Sequence, residues 1–264
     1  MPLRTTYAES NVHHDRWRDV YGRNPSQLRF DDEIYRWLSE QIQPRGSWLD
    51  AGCGSGEHSI RLARLFANVL AVDLSPKVLK AAAEEAERHG LSDRIRFQCH
   101  ALEELPPGLE STNVHCRGVL MHIPAWREAL RNISRCVKPG GYLVLCENDQ
   151  RSAEAWLVMG LRRILRRRSR VEETEGGLEF WSEPQGQPFV VRMANLDALE
   201  STIRECGIKP LFRRSVALFD INRFPRPLRA VIVQLNRAWF RLNLPFASGV
   251  LIVGQRDVVV FNQR

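Results

Sequence analysis

No run of about 18 uninterrupted apolar residues occurs in the sequence, which excludes a membrane-spanning helix. The six cysteines, Cys53, Cys99, Cys116, Cys136, Cys146 and Cys206, form no C-x-x-C pair, and the polar start from Met1 to Ser10 is unlike a secretory leader. Both absences lead to an expectation of reduced thiols and a cytoplasmic location. His13, His14, His58, His89 and His115 show no ligand-like spacing beyond one adjacent pair, so surface positions and no metal centre are expected for them. Repeats and low-complexity tracts are missing too. What remains is ordinary globular composition, 44% apolar and 26% charged over 264 residues, enough for one large domain with an embellishment. A chain of this length removes roughly 70 to 75% of its extended surface from water, so its core needs no covalent staple.

The net charge of +7 is concentrated in two places. Residues 151–170 hold seven arginines, Arg151, Arg162, Arg163, Arg166, Arg167, Arg168 and Arg170, against one acid, Glu154. Residues 171–187 then hold five glutamates and no base, and residues 221–246 hold five arginines and no acid. A positive field so distributed belongs to particular segments and not to the whole surface.

From Trp48 to Glu147, short apolar or β-branched runs alternate with longer amphipathic ones, the pattern of strand-helix units around a parallel sheet. Strands are expected at 47–49, 68–72, 95–99, 113–119 and 142–146, with helices at 57–66, 76–89 and 125–137 between them. Pro76 sits in a first helical turn and Gly90 stops that helix. The N-terminal 45 residues read as helical, anchored by Trp17, Tyr21, Ile34, Trp37 and Leu38. Past Glu147 the reading is a basic amphipathic helix at 153–168, an acidic loop at 171–187 and a helix at 195–205. Strands at 208–219 and 249–261 flank a helical stretch at 228–242.

The run Leu49-Asp50-Ala51-Gly52-Cys53-Gly54-Ser55-Gly56 lies where a buried strand turns into a helix, and its glycines let a ligand approach the backbone. Asp73 closes the next strand, where a carboxylate can accept hydrogen bonds from both hydroxyls of a ribose. A dinucleotide site wants G-x-G-x-x-G, whereas this loop is G-x-G-x-G preceded by Asp50.

Here the chain resembles the class I S-adenosylmethionine-dependent methyltransferases, on L-D-A-G-C-G-S-G at 49–56 and V-K-P-G-G-Y-L-V-L at 137–145. V-D-L-S-P at 72–76, A-L-E-E-L-P at 101–106, G-V-L-M-H-I-P at 118–124 and M-A-N-L-D-A-L-E at 193–200 extend the likeness. It implies an α/β fold, Rossmann-like and doubly wound, with a mostly parallel seven-stranded sheet, an antiparallel last strand and helical cap insertions. It also implies one methyltransferase domain over 1–264: N-terminal helices or lid at 1–45, a cofactor-binding half at 46–150, and acceptor-side insertions at 151–194 and 220–248.

Carried over by motif, the cofactor's amino-acid end falls against Asp50, Ala51, Gly52, Cys53, Gly54 and Gly56, its ribose on Asp73 and its adenine on Leu74. The third strand's end usually supplies an acid to the adenine amino group; here that position is His100, followed by the Ala101 N–H and the apolar Leu102. Arg117, His122, Glu147 and Asp149 flank the reacting end. His122 is the expected base where the acceptor has a proton to lose, because imidazole titrates near neutral pH. Neither N-P-P-Y nor D-P-P-Y follows the fourth strand, which disfavours nucleobase methylation, and Arg117 stands where a magnesium carboxylate would be needed.

The resemblance thus implies methyl transfer to oxygen or nitrogen of a small-molecule or lipid-like acceptor. Alternatives are a phosphorylated lipid or lipid-linked sugar acceptor, or a non-catalytic cofactor-binding regulator. The Arg-rich amphipathic segments read in three ways: as core or lid, as a peripheral contact with an anionic membrane or phosphorylated acceptor, or as an RNA surface lacking any recognisable module. A structural clasp between the arginines of 162–170 and the glutamates of 172–183 is the bland version of the first.

Overall fold

The computed structural model describes residues 25–258, apart from 67 and 166–169. Trp17, Tyr21, His13, His14, Arg166, Arg167, Arg168 and the expected strand end at 259–261 lie outside the described residues. In chain order, helix α1 (Pro25–Ile42) precedes β1 (Trp48–Ala51), α2 (Glu57–Leu65), β2 (Val69–Asp73), α3 (Pro76–Arg88), β3 (Ile95–Cys99), β4 (Asn113–Arg117), α4 (Trp126–Arg135) and β5 (Tyr142–Asn148). There follow α5 (Ala153–Ile164), β6 (Val171–Thr174), β7 (Gly177–Ser182), β8 (Phe189–Ala194), α6 (Leu196–Glu205), β9 (Ile208–Ala217), α7 (Arg226–Leu242) and β10 (Gly249–Arg256).

The main sheet has seven strands in the order β3-β2-β1-β4-β5-β10-β9, and β10 alone runs antiparallel to its neighbours. Successive residues of a strand point to opposite faces, and the two cores are sorted that way. Trp48, Ala71, Val144 and Val253 face Phe30, Ile34 and Leu38 of α1, Leu62 of α2 and Phe240 of α7. Their neighbours Leu49, Val72, Leu145 and Ile252 face Leu130 and Ile133 of α4 and Leu199 and Ile203 of α6. Helix α3 starts where expected, because the Ser75 hydroxyl accepts the Val78 N–H and Pro76 has no N–H to satisfy.

Strand order reverses at β1, which pairs with β2 on one side and β4 on the other, so a crevice opens beyond the carboxyl ends of these strands. The left half of the sheet therefore presents the Gly52–Gly56 loop and Asp73 side by side.

One expectation is corrected. Residues 171–187 are not a loop: β6 and β7 form an antiparallel hairpin, completed by β8 into a separate three-stranded sheet. The glutamates hid the alternation. Glu179 points inward and is buried, where it accepts from both Nε and Nη2 of Arg192, at 3.0 and 2.8 Å, while Glu173 and Glu175 are exposed. The basic helix is described over Ala153–Ile164 with its cap at Leu165, and the end expected at 166–168 lies outside the described residues.

Arg192 is almost fully buried and its Nη1 also donates to the Leu120 and Ile123 carbonyls at 2.7 and 3.0 Å, stapling the small sheet to the turn after β4. Breaking a buried pair from one side leaves a stranded charge, so Arg192→Met should lower unfolding free energy by about 3–5 kcal/mol in urea titration. Arg192→Met combined with Glu179→Leu should recover much of that loss; a double variant no better than the single one would mean that the lost staple, and not the charge, dominates.

Candidate active site

The loop after β1 turns through positive φ at Gly52 (76°) and Gly54 (53°), backbone states that side-chain-bearing residues rarely adopt. A Cβ on Gly52 would lie 2.4 Å from a Val119 methyl, so this glycine lets the loop pack against the turn after β4. A Cβ on Gly54 would meet nothing within 4 Å, so the backbone there is open to an approaching group. The Gly52 and Cys53 N–H groups both donate to the Val72 carbonyl, at 2.8 and 2.9 Å, tying the loop to β2. Asp73 completes the tie: one carboxylate oxygen accepts the Gly54 N–H and the other the Ser75 N–H, each at 3.0 Å.

These groups border a cavity of about 780 Å³. At one end its wall includes Gly52, Cys53, Gly54, Asp73, Leu74, His100, Ala101 and Leu102; at the other it includes Met121, His122, Glu147, Phe189, Val216 and Phe219. Arg117 lies on the wall as well, its guanidinium donating to Asp31 of α1 at 2.9 Å, so α1 forms part of the same enclosure through Gln27, Leu28 and Asp31.

Asp50, Ala51 and Gly56 are not on this wall. Asp50 is buried beneath the loop, one oxygen on the Ser59 hydroxyl at 2.5 Å and the other on His115 Nδ1 at 2.8 Å. His115 Nε2 meets the Tyr35 hydroxyl at 2.8 Å. A carboxylate accepts only, so His115 donates from Nδ1, and in the neutral ring its Nε2 receives the Tyr35 hydroxyl. The surface positions expected for His115 and His58 are thus overturned: His115 is in the core, and His58 lines the cavity. His89 is exposed and pairs with Glu85. Burial, reinforced by Arg117 and Arg61, holds His58 well below the usual imidazole range.

His122 closes a short helical turn, Leu120–His122. Its Nδ1 lies 3.0 Å from the Val190 carbonyl of β8, which accepts only, so Nδ1 carries a hydrogen and in the neutral ring the lone pair is on Nε2. The ring stacks on Phe189 of the same strand, with centroids 4.9 Å apart. From the other side, Glu147 Oε1 accepts the Val119 and Leu120 N–H groups at 3.2 and 3.1 Å. The turn is thus held by its N–H groups from β5 and by its carbonyls from Arg192. Glu147 Oε2 is buried without a hydrogen-bond partner among the described residues. Asp149 is not on the cavity wall and accepts the Arg151 N–H at 2.8 Å. Burial raises the Cys53 thiol well above its ordinary value and the Cys146 thiol to about 11, so neither is a thiolate near neutral pH. Among the described residues no cluster of His, Cys, Asp and Glu is arranged to hold a metal ion.

Residues 49–145 match the family described as "Methyltransferase domain". That stretch runs from β1 into β5 and makes up just over a third of the chain, and the fold around it is similar to those of S-adenosylmethionine-dependent methyltransferases of known structure. Similar proteins include the ubiquinone biosynthesis O-methyltransferase of Xanthomonas axonopodis pv. citri (strain 306), 30% identical over 156 residues, which are 58% of this chain and 64% of that protein. The match thus spans just under two thirds of that relative's length. The 27-O-demethylrifamycin SV methyltransferase of Amycolatopsis mediterranei (strain S699) is 28% identical over 222 residues, 82% of this chain and 71% of that protein. Among solved structures, magnesium protoporphyrin IX methyltransferase from Synechocystis PCC 6803 with bound SAH aligns with a TM-score of 0.64 at 15% identity, over 96% of this chain and 98% of that one. At that identity the likeness is one of fold.

Two outcomes follow from this geometry. Asp73→Ala removes a charged acceptor at the cavity wall, a loss of about 1.5–3 kcal/mol, so calorimetric affinity for S-adenosylmethionine should fall roughly ten- to a hundredfold. Unchanged affinity would remove Asp73 from the cofactor site.

The second concerns Glu147. Burial pushes its carboxyl up to about 7, against the downward pull of the Leu120 and Val119 N–H groups and Arg192. The folded chain therefore binds this proton more tightly than the unfolded chain, where the value is 4.5. Between the two values the folded state carries more protons, so this group's contribution to stability falls as pH rises from about 4.5 to about 7 and levels off above. The full effect is on the order of 3 kcal/mol. Urea titrations at about pH 5 and pH 7.5 should show Glu147→Gln losing less stability over this interval than the parent; equal losses would contradict the assignment.

Proposed function

We propose that this chain transfers the methyl group of S-adenosylmethionine to an oxygen or nitrogen of a small, largely apolar or lipid-like acceptor. The observation that carries the reading is a single cavity with a nucleoside-type cradle at one end and the His122 turn at the other. The residues suit the cofactor: the open backbone at Gly54 admits its amino-acid end, the Asp73 carboxylate stands on the wall where ribose hydroxyls would lie, and Leu74 and Leu102 offer apolar walls to adenine. Asp50 then acts indirectly, by fixing the strand from which the loop departs. When bound, the cofactor supplies an electrophilic methyl on a sulfonium, whose charge is lost on transfer.

The chain's own work is positioning. Met121, Phe189, Val216 and Phe219 exclude water and favour an apolar acceptor body. His122 Nε2 is the atom that takes the acceptor's proton, and the Val190 carbonyl fixes the tautomer this requires. Names of similar proteins, an O-methyltransferase of ubiquinone biosynthesis and a rifamycin methyltransferase, support oxygen as the acceptor atom. A phosphorylated lipid or lipid-linked sugar is a second reading, favoured by Arg223 and Arg229 on the cavity wall.

Release of S-adenosylhomocysteine in the presence of hydroxylated apolar acceptors tests the activity, and its absence with every acceptor, despite cofactor binding, would favour a non-catalytic cofactor-binding protein. His122→Asn should retain cofactor affinity and lower turnover by about a hundredfold or more. Near-parental turnover with an unchanged acidic limb of the pH–rate profile would make His122 a positioning residue only.

A further inference from the structure

Helix α5 is buried only at its start; in its last turn the Arg162 guanidinium lies over the Phe180 ring of β7. Ser152 caps it through the Ala155 N–H at 3.1 Å, and of its twelve residues only Glu154 and Ala155 are buried. Glu154 accepts the Asp220 N–H at 2.6 Å and pairs with Arg223, which ties this first turn to a segment lining the cavity.

Beyond that turn the helix shows solvent an apolar stripe. Trp156, Leu157, Leu161, Ile164 and Leu165 are between 47% and 75% exposed. At about 100° per residue their spacing keeps them on one side of the helix. Phe246, also exposed, extends the stripe, with its ring 5.3 Å from that of Trp156. Single exposed apolar side chains are ordinary; a contiguous run of six large ones marks a contact surface.

Charge selects the occupant. Arg163 is exposed beside the stripe and makes no ion pair among the described residues, and the sequence continues with Arg166, Arg167 and Arg168. In a two-fold pairing of this face with itself, like charges would flank the contact on both copies. An anionic bilayer supplies the opposite charge and accepts the apolar side chains. At about 1.5 Å per residue the helix is roughly 18 Å long, too short to cross and suited to lying in the headgroup boundary. No described helix is long and apolar enough to span a membrane.

We propose that the exposed face of α5, from Trp156 to Leu165 and continued by Phe246, docks this chain on an anionic lipid bilayer, its apolar side chains in the headgroup boundary and Arg163 among the phosphates. The tie through Glu154 then holds one wall of the cavity near the membrane. The inference stands apart from the methyl-transfer reading and does not need an acceptor to be tested.

The test is co-sedimentation of the full chain with vesicles of phosphatidylcholine mixed with phosphatidylglycerol, and with phosphatidylcholine alone, at low and high salt. The parent should bind the mixed vesicles, bind phosphatidylcholine alone weakly, and lose most binding at high salt. Trp156→Ser with Ile164→Ser should weaken binding to mixed vesicles by about tenfold or more, and Arg163→Gln by about fivefold at low salt only. All three side chains are exposed, so melting temperatures should stay close to that of the parent. Failure of the parent to bind mixed vesicles, equal binding to both compositions, or parental binding by the double variant would overturn the proposal. So would a parental dimer that the double variant converts to monomer, or a melting temperature several degrees lower in that variant, since either result gives the stripe a protein partner.

Discussion

The chain must leave β1 through a left-handed turn and come back close enough to β2 for two successive N–H groups, those of Gly52 and Cys53, to share the Val72 carbonyl. That constraint organises the half of the molecule that carries the glycine loop. It requires glycine where Val119 presses on the loop, it brings the Gly54 N–H onto Asp73, and it starts α2 just beyond the carboxyl end of β1. A buried hydrogen-bonded set beneath it, Tyr35 to His115 to Asp50 to Ser59, joins α1, β4, β1 and α2 with each polar atom in use. Such a fully satisfied network specifies one arrangement of its elements, because any displacement strands a buried polar group.

The second half of the site obeys a different rule. The Leu120–His122 turn has little regular structure of its own, and its geometry is imposed from both sides: Glu147 takes its N–H groups, Arg192 its carbonyls, and Val190 and Phe189 the imidazole. Three of these partners, Phe189, Val190 and Arg192, sit on β8 of the small sheet beside the main one. That sheet therefore sets the position of the His122 ring, and a change in it reaches the cavity wall through the Leu120–His122 turn.

The arginines divide by environment and not by position in the sequence. Arg151 pairs with Asp197 and Arg170 with Glu172, both at the surface, while Arg162 lies over the Phe180 ring. A clasp to the 172–183 glutamates is thus present in part, through Arg170 alone among the ion pairs of the described residues. Exposed pairs of this kind contribute little to folding.

Local patterning carried the strands and helices of residues 48–148, because a parallel sheet buried on both faces leaves apolar runs that glycine and proline punctuate. It carried Asp73 and the glycine loop for the same reason, since backbone conformation and strand ends are written in nearest-neighbour residues. The hairpin at 171–182 was illegible: its inward Glu179 is tolerable only opposite Arg192, thirteen residues later and on another strand. His115 looked like a surface histidine because nothing near it in sequence explains it; the register that sets Asp50 beside it belongs to the pairing of β1 with β4, and Tyr35 comes from a helix eighty residues away. Likewise a histidine after the fourth strand was visible, but its tautomer was decided by a carbonyl 68 residues on. Sequence alone determined where the backbone turns and which faces seek burial; the partners of buried charges were decided only by tertiary structure, because Coulombic and hydrogen-bond pairing acts through space and leaves no period along the chain.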